Sequence, residues 1–217
     1  MKVIEGAFEY RIDGNECIVT KCIHPDYYLS IPKYIKGKPV RQIAANAFSN
    51  CKNIAAIVLP STLSHIQEGA FAQSDVSTIE RKADSGSPTL YINKFAFYEC
   101  DKLTEVKFGG KTFLESSGYQ FKGCCNLSKI DSLSIYGAIP KGAFLYTNLK
   151  LFCFNDSTYV AKEAFLGTPL ERIYVQGKFK YSADFLKHRE KMEIVCEKTS
   201  PILELAYEGF NVKVKQD

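Results

Sequence analysis

The chain has 217 residues, 46% of them hydrophobic, with 13 Tyr and 15 Phe against no Trp and 2 Met. That is enough apolar material for one ordinary domain or one elongated repeat array, and it excludes global disorder. The formal net charge is +4, from 28 basic and 24 acidic residues scattered along the chain, which excludes the one-sided basic face that nucleic-acid binders need.

In chain order, the first signal is a hairpin. Alternating runs from Phe8 to Ile12 and from Glu16 to Ile23 flank Asp13-Gly14-Asn15, a pattern that predicts two antiparallel strands. The segment from Met1 to Tyr10 is too short and too charged for a secretory leader. Two expectations stay open: a chain freed of its leader, or one that remains in the cytoplasm. No apolar run approaches the ~18–20 residues that span a bilayer. Ile31-Pro32 and Gly37-Lys38-Pro39-Val40 then lead toward the body of the chain.

From residue 40 the sequence repeats itself. Phe48, Phe71, Phe97, Phe121, Phe144 and Phe165 are separated by 23, 26, 24, 23 and 21 residues. Ala precedes five of them and Gln120 the sixth. Ile43, Ile66, Ile92, Ile139 and Val160 stand five positions before their Phe. Cys51, Cys100 and Cys124 stand three after it, followed by the pairs Ile54 and Ile57, Leu103 and Val106, Leu127 and Ile130. The other three segments carry Ser74, Thr147 and Thr168 instead, and each is one residue shorter before its pair: Val76 and Ile79, Leu149 and Phe152, Leu170 and Ile173. Such correlated spacing predicts equivalent coils. The last two apolar residues share one face of a short strand. One coil cannot bury that face alone, so neighbours must stack with parallel strands ~4.8 Å apart. Ala-Phe forms the opposite wall.

Two departures stand out. Arg81 to Thr89 is an insertion with Ser85-Gly86-Ser87-Pro88, predicted to be a turn-rich, mobile surface loop. Ser116-Ser117-Gly118-Tyr119-Gln120 precedes Phe121 and leaves the register of that coil open. Beyond the coils, Ile194-Val195-Cys196 reads as a strand. A short helix follows from Ser200 as N-cap, through Ala206 and Tyr207, to a stop at Gly209. Phe210 to Val214 is a final strand. Lys178, Lys180, Lys187, His188, Arg189 and Lys191 read as a solvated cap surface. The organisation is one continuous domain: a hairpin cap over 1–39, six coils over 40–176 and a second cap over 177–217.

The unit Ile43-Ala44-Ala45-Asn46-Ala47-Phe48-Ser49-Asn50-Cys51, with Ile57-Val58-Leu59-Pro60 after it, resembles the BspA-like leucine-rich-repeat family. The resemblance covers about residues 40–175, with caps like those of family members. It implies an α/β repeat: a leucine-rich-repeat solenoid of short parallel strands joined by short helical or irregular turns. It also implies a bacterial or protist surface protein that adheres to host matrix or cell-surface proteins.

The residues show no sign of chemistry. His24, His65 and His188 fall in different parts of the array, so no histidine pair has zinc-ligand spacing. Cys17 and Cys22, with His24 nearby, superficially suggest a metal cluster, but strand alternation would point Cys17 away from the other two. Cys51, Cys100 and Cys124 occupy packing positions, and no disulfide framework is implied. Phosphate-binding glycine loops, nucleophile elbows and zinc-protease motifs are missing. A non-enzymatic monomer without cofactor or metal is expected.

Binding would use the variable residues flanking the inward strand positions, if these strands line a concave face. They are Ala56 and Val58, Thr78 and Glu80, Glu105 and Lys107, Lys129 and Asp131, Leu151 and Cys153, Arg172 and Tyr174. Of these, Glu80, Glu105, Lys107, Lys129, Asp131, Leu151, Arg172 and Tyr174 are the candidate partner-binding residues. Emphasis falls on the Leu151–Tyr174 end, because Tyr and Arg are enriched at hot spots. A protein partner is expected, either in adhesion or, alternatively, on an intracellular scaffold.

Overall fold

The structure, a computed structural model, describes residues 1–156, 158–197, 200–206 and 208–215. Three strands open the chain: β1 (Lys2–Glu5), β2 (Phe8–Asp13) and β3 (Glu16–Cys22), paired antiparallel in that order. β2 and β3 are the expected hairpin. β1 escapes a sequence reading because Val3 is its one buried side chain. β4 (Tyr28–Ser30), β5 (Tyr34–Ile35) and β6 (Lys38–Ile43) lead into the coils.

Each coil then carries two strands. They run β7 (Ala56–Leu59) and β8 (His65–Ile66), then β9 (Thr78–Arg81) and β10 (Leu90–Ile92), then β11 (Glu105–Lys107) and β12 (Thr112–Leu114). β13 (Lys129–Ile130) is followed by β14 (Ile135–Tyr136) and β15 (Ala138–Ile139). β16 (Leu151–Phe154), β17 (Thr158–Val160), β18 (Arg172–Val175), β19 (Phe179–Tyr181), β20 (Glu193–Cys196) and β21 (Asn211–Val214) complete the array. Stacking places β4, β7, β9, β11 and β13 in one parallel front sheet, and β16, β18, β20 and β21 in another. The back strands extend the N-terminal hairpin from β3 through β6, β8, β10, β12 and β14, then continue as β15, β17 and β19. That back sheet explains the aliphatic residue five positions before five of the six Phe: Ile43, Ile66, Ile92, Ile139 and Val160 are buried on it.

The tight turn on the third side holds the Phe column. Phe48, Phe71, Phe97, Phe121, Phe144 and Phe165 stack face to face, with centroids 4.7, 5.2, 4.8, 5.3 and 5.1 Å apart. None is more than 2% exposed. The backbone copies this spacing. The Phe48 amide donates to Ala70 O at 2.7 Å, Phe71 to Ala96 O at 2.7 Å, and Phe97 to Gln120 O at 2.8 Å. Phe121 donates to Ala143 O and Phe144 to Ala164 O, both at 2.8 Å. Gln120 keeps the fourth coil in register because the bond uses its carbonyl; its side-chain amide donates to Glu115 O at 2.8 Å.

The small residue three after Phe has a second task. The Cys100 thiol donates to Phe71 O and the Cys124 thiol to Phe97 O, both at 2.9 Å. Thr168 Oγ1 donates to Phe144 O at 2.6 Å. A thiol or hydroxyl therefore ties each of these three coils to the carbonyl of the preceding Phe, whereas the Thr147 hydroxyl donates to Phe144 O of its own coil at 3.0 Å.

The same turn forces left-handed backbone on either side of the Phe. Two residues before it stand Asn46, Gly69, Phe95, Tyr119, Gly142 and Glu163, all with φ between 56° and 62°. Two after it stand Asn50, Gln73, Glu99, Gly123, Tyr146 and Gly167, all with positive φ. Gly142 serves a further purpose, since a Cβ there would lie 2.4 Å from Tyr119 Cε1.

Three expectations are corrected. The front lane is not continuous: among the described residues β13 and β16 do not pair. A 3-10 turn, Ser132–Ser134, separates them, with Ser132 Oγ accepting from the Cys153 amide at 3.0 Å. The insertion after β9 is anchored at its root. Arg81 is 2% exposed, and its Nη2 donates to the carbonyls of Ser61, Leu63 and Pro88. Burial lowers the guanidinium pKa, and nearby Asp84 opposes that shift. Finally, Cys17 and Cys22 are both buried against the core. A bulge between Glu9 and Tyr10 leaves Thr20 without an opposite residue and re-phases β3. In the C-terminal cap the helix is a 3-10 segment, Pro201–Ala206; Tyr207 of the expected helix lies outside the described residues, as do Gln216 and Asp217 of the expected cap. The helical share of the repeat is small, and the fold is a β-solenoid.

Truncating one rung breaks two ring contacts and leaves a cavity. Phe97→Ala is expected to cost about 3–5 kcal/mol in chemical denaturation. Gly142→Ala is expected to cost about 1–2 kcal/mol from backbone strain and the ring clash. Part of that cost should vanish in a Tyr119→Ala background, so the double-mutant cycle is expected to show coupling.

Candidate functional site

Parallel pairing turns the variable front positions into columns. One column runs Tyr28, Ala56, Thr78, Glu105, Lys129; the next runs Ser30, Val58, Glu80, Lys107. Glu80 thus stands beside Lys107 and Glu105 beside Lys129, while Lys107 Nζ reaches Glu105 Oε1 at 3.2 Å. Asp131 follows directly after β13, where its amide donates to Val106 O at 3.0 Å and its carboxylate accepts from the Ser134 hydroxyl at 2.5 Å. These five predicted residues line one open cleft of about 620 Å³, with Val106 and Ile130 also in its wall. Charges of both signs over an apolar floor offer polar specificity and a surface to bury, but no nucleophile–base pair.

The remaining predicted residues lie beyond the 3-10 turn, on the second front sheet. Leu151 is 45% exposed and pairs with Arg172 across the strands. Arg172 is not a free cation: it forms an ion pair with Glu193, which also holds Lys213. The Lys213 ammonium and the Arg172 guanidinium keep the Glu193 carboxyl below its ordinary pKa. Tyr174 is half-buried and lines a smaller cleft of about 260 Å³ with Leu133, Cys153, Val195 and Cys196. The structure therefore unites Glu80, Glu105, Lys107, Lys129 and Asp131, and sets Leu151, Arg172 and Tyr174 apart from them.

Sequence reasoning missed the back face. His65, Tyr91, Phe113 and Tyr136 occupy one column across β8, β10, β12 and β14. His65 and Tyr91 stack at 5.3 Å, and Tyr91 and Phe113 at 5.8 Å. Lys111 Nζ lies 5.2 Å from the ring centres of both Phe113 and Tyr136. Tyr159 is exposed on neighbouring β17. The signal was present: the residue before the buried aliphatic is aromatic in several coils, as His65-Ile66, Tyr91-Ile92 and Tyr159-Val160.

The thiols and carboxylates do not assemble a metal site, since no group of three or more His, Cys, Asp or Glu could hold an ion among the described residues. No described helix is long and apolar enough to cross a membrane.

Comparisons with known proteins agree with the coil geometry. The leucine-rich repeat protein of T. pallidum is similar over 99% of this chain and 98% of its own, with a TM-score of 0.60 at 16% identity. A leucine-rich cell-surface protein of Faecalibacterium prausnitzii is similar over 90% of this chain, which spans 54% of that protein's length, with a TM-score of 0.56 at 15% identity. At such identities the likeness shows the fold alone. No curated protein matches the chain in sequence. The BspA-type leucine-rich-repeat region matches residues 27–87 and 85–186 in six copies, and with most of its length matched this chain belongs to the BspA-type leucine-rich-repeat family.

Proposed function

We propose that the chain is a non-catalytic recognition module that holds a protein partner against its front sheet. The observation that carries this reading is the cleft over β9, β11 and β13, where Glu80, Glu105, Lys107, Lys129 and Asp131 surround an apolar floor. Charge patterning of this kind selects a partner and steers its approach, while apolar area supplies affinity. The partner is a protein of the host matrix or of another cell's surface. Family membership supports that assignment, as does the likeness to a leucine-rich cell-surface protein. The Leu151–Tyr174 sheet is a secondary contact, because the ion pair to Glu193 occupies Arg172.

A panel of purified extracellular-matrix proteins titrated against the wild-type chain tests the reading. Glu80→Lys with Lys129→Glu, both at exposed positions, is expected to weaken the bound partner by about tenfold or more, with an unchanged Tm. Tyr174→Ala with Arg172→Ala is expected to have the smaller effect. Equal affinity of the cleft variant and the wild type would remove the cleft from the interface.

A further inference from the structure

The two sheets of the solenoid do not begin together. The back sheet opens with β1, β2 and β3 before it reaches β6, whereas the front sheet opens only at β4, the strand level with β6. Among the described residues, no strand stands in front of the hairpin, and the outer edge of β4 has no neighbour. The backbone bonds of this strand fix what that edge offers. Tyr27 O accepts from the amides of Ala55 and Ala56, and Ile31 N–H donates to Val58 O, so the odd-numbered residues face β7. By alternation, Tyr28 and Ser30 turn their amides and carbonyls outward. β4 itself carries neither Lys nor Pro, the residues that commonly block such an edge.

The missing strand leaves an open cleft of about 620 Å³ between the β1–β2 turn, residues 24–26 and the edge of β4. Glu5, Phe8, Tyr10, His24, Asp26 and Tyr28 stand in its walls. Tyr10 is fully buried, yet its hydroxyl has no hydrogen-bond partner, which fits a coil that lacks one of its strands. Charge in the lining is one-sided: it holds Glu5 and Asp26 and no Lys or Arg, in a chain whose net charge is +4. Tyr28 is 73% exposed, more than any other large hydrophobic side chain described, and Tyr27 meets it edge to face at 4.8 Å. Two exposed Tyr beside two carboxylates suit basic side chains, whose stems lie along the rings while their charges meet the acids.

We propose that this cleft takes an extended, basic segment of a partner protein, which adds to the free edge of β4 as the missing front strand. Its backbone pairs with the outward amides and carbonyls of Tyr28 and Ser30, and this pairing supplies affinity for any extended chain. Its Lys or Arg side chains meet Glu5 and Asp26, which select a basic strand over an acidic one. Its apolar side chains cover the wall at Phe8 and Tyr10. The last strand of a second copy, β21, fits less well, because Glu193 already holds its Lys213. The edge is separate from the cleft over β9, β11 and β13, so the two sites act independently.

The test titrates the full chain against a fluorescein-labelled peptide, Thr-Val-Lys-Val-Lys-Val-Thr, read by fluorescence anisotropy. Saturable one-to-one binding is expected. N-methylation of one alternate set of peptide amides should weaken it about tenfold or more, while the other set is tolerated, because only one set faces β4. Glu in place of both Lys should weaken it by a similar factor. Ser30→Pro removes an outward amide without touching the bonds to β7, and is expected to cost about tenfold in affinity at an unchanged Tm. Glu5→Gln with Asp26→Asn, which keeps an acceptor for the Tyr27 amide, should weaken binding and flatten its salt dependence. Glu80→Lys with Lys129→Glu should leave peptide affinity unchanged, so the edge and the front cleft are judged separately. No saturable binding, or equal affinity for both N-methylated peptides and their parent, would overturn the edge site. Self-association of the wild type in sedimentation, abolished by Ser30→Pro, would hand the edge to a second copy and overturn the assigned occupant. Should Ser30→Pro fail to fold, the N-methylated peptides on the wild-type chain decide.

Discussion

Each coil depends on the one beside it. A segment of 21 to 26 residues cannot surround its own Phe, so the ring is buried only when the coils before and after lie on it. The amide of each Phe donates to the carbonyl just before the next coil's Phe, so ring stacking and backbone pairing share one spacing. Neither can be altered without the other. The Cys, Ser or Thr three residues later reinforces the link, in several coils by donating to the preceding Phe carbonyl. Insertions are tolerated only where they leave this ladder intact, as between Arg81 and Thr89, where a buried guanidinium gathers the corner carbonyls.

The turn that presents the Phe imposes a cost on its flanks. Left-handed backbone suits Gly and Asn, and the chain uses them at Asn46, Gly69, Gly142, Asn50, Gly123 and Gly167. Phe95, Tyr119 and Tyr146 accept the same geometry against their preference. Close packing between coils compensates in part: Phe95 stacks on Tyr119 with centroids 5.7 Å apart, and Tyr119 covers the bare Cα of Gly142. Tyr146 covers Gly167 in the same way two residues after the Phe.

Two outer faces result from two strands per coil. The front face carries mixed charge in strand-to-strand register, and the back face carries stacked rings. The break at Ser132–Ser134 divides the front face into a charged cleft around Glu105 and Lys129 and a more apolar one beside Tyr174.

The repeat, its phase and its buried positions were legible in the residues, because a single spacing rule constrains every coil. Phe48, Ile57 and Ile43 must point inward for any coil to stack, and that demand writes itself into periodic sequence. The hairpin was legible too, since Asp13-Gly14-Asn15 favours a tight turn. Other features required the folded molecule because they depend on residues far apart in the chain. Cys22 faces the core only because a bulge shifts β3 against β2. Arg172 loses its freedom to Glu193, 21 residues on. His65, Tyr91 and Phe113 become neighbours only when three coils align. Local sequence determined what each coil must bury; the stacking of coils decided which exposed side chains meet, since lateral register is set by backbone pairing between turns and not within any one of them.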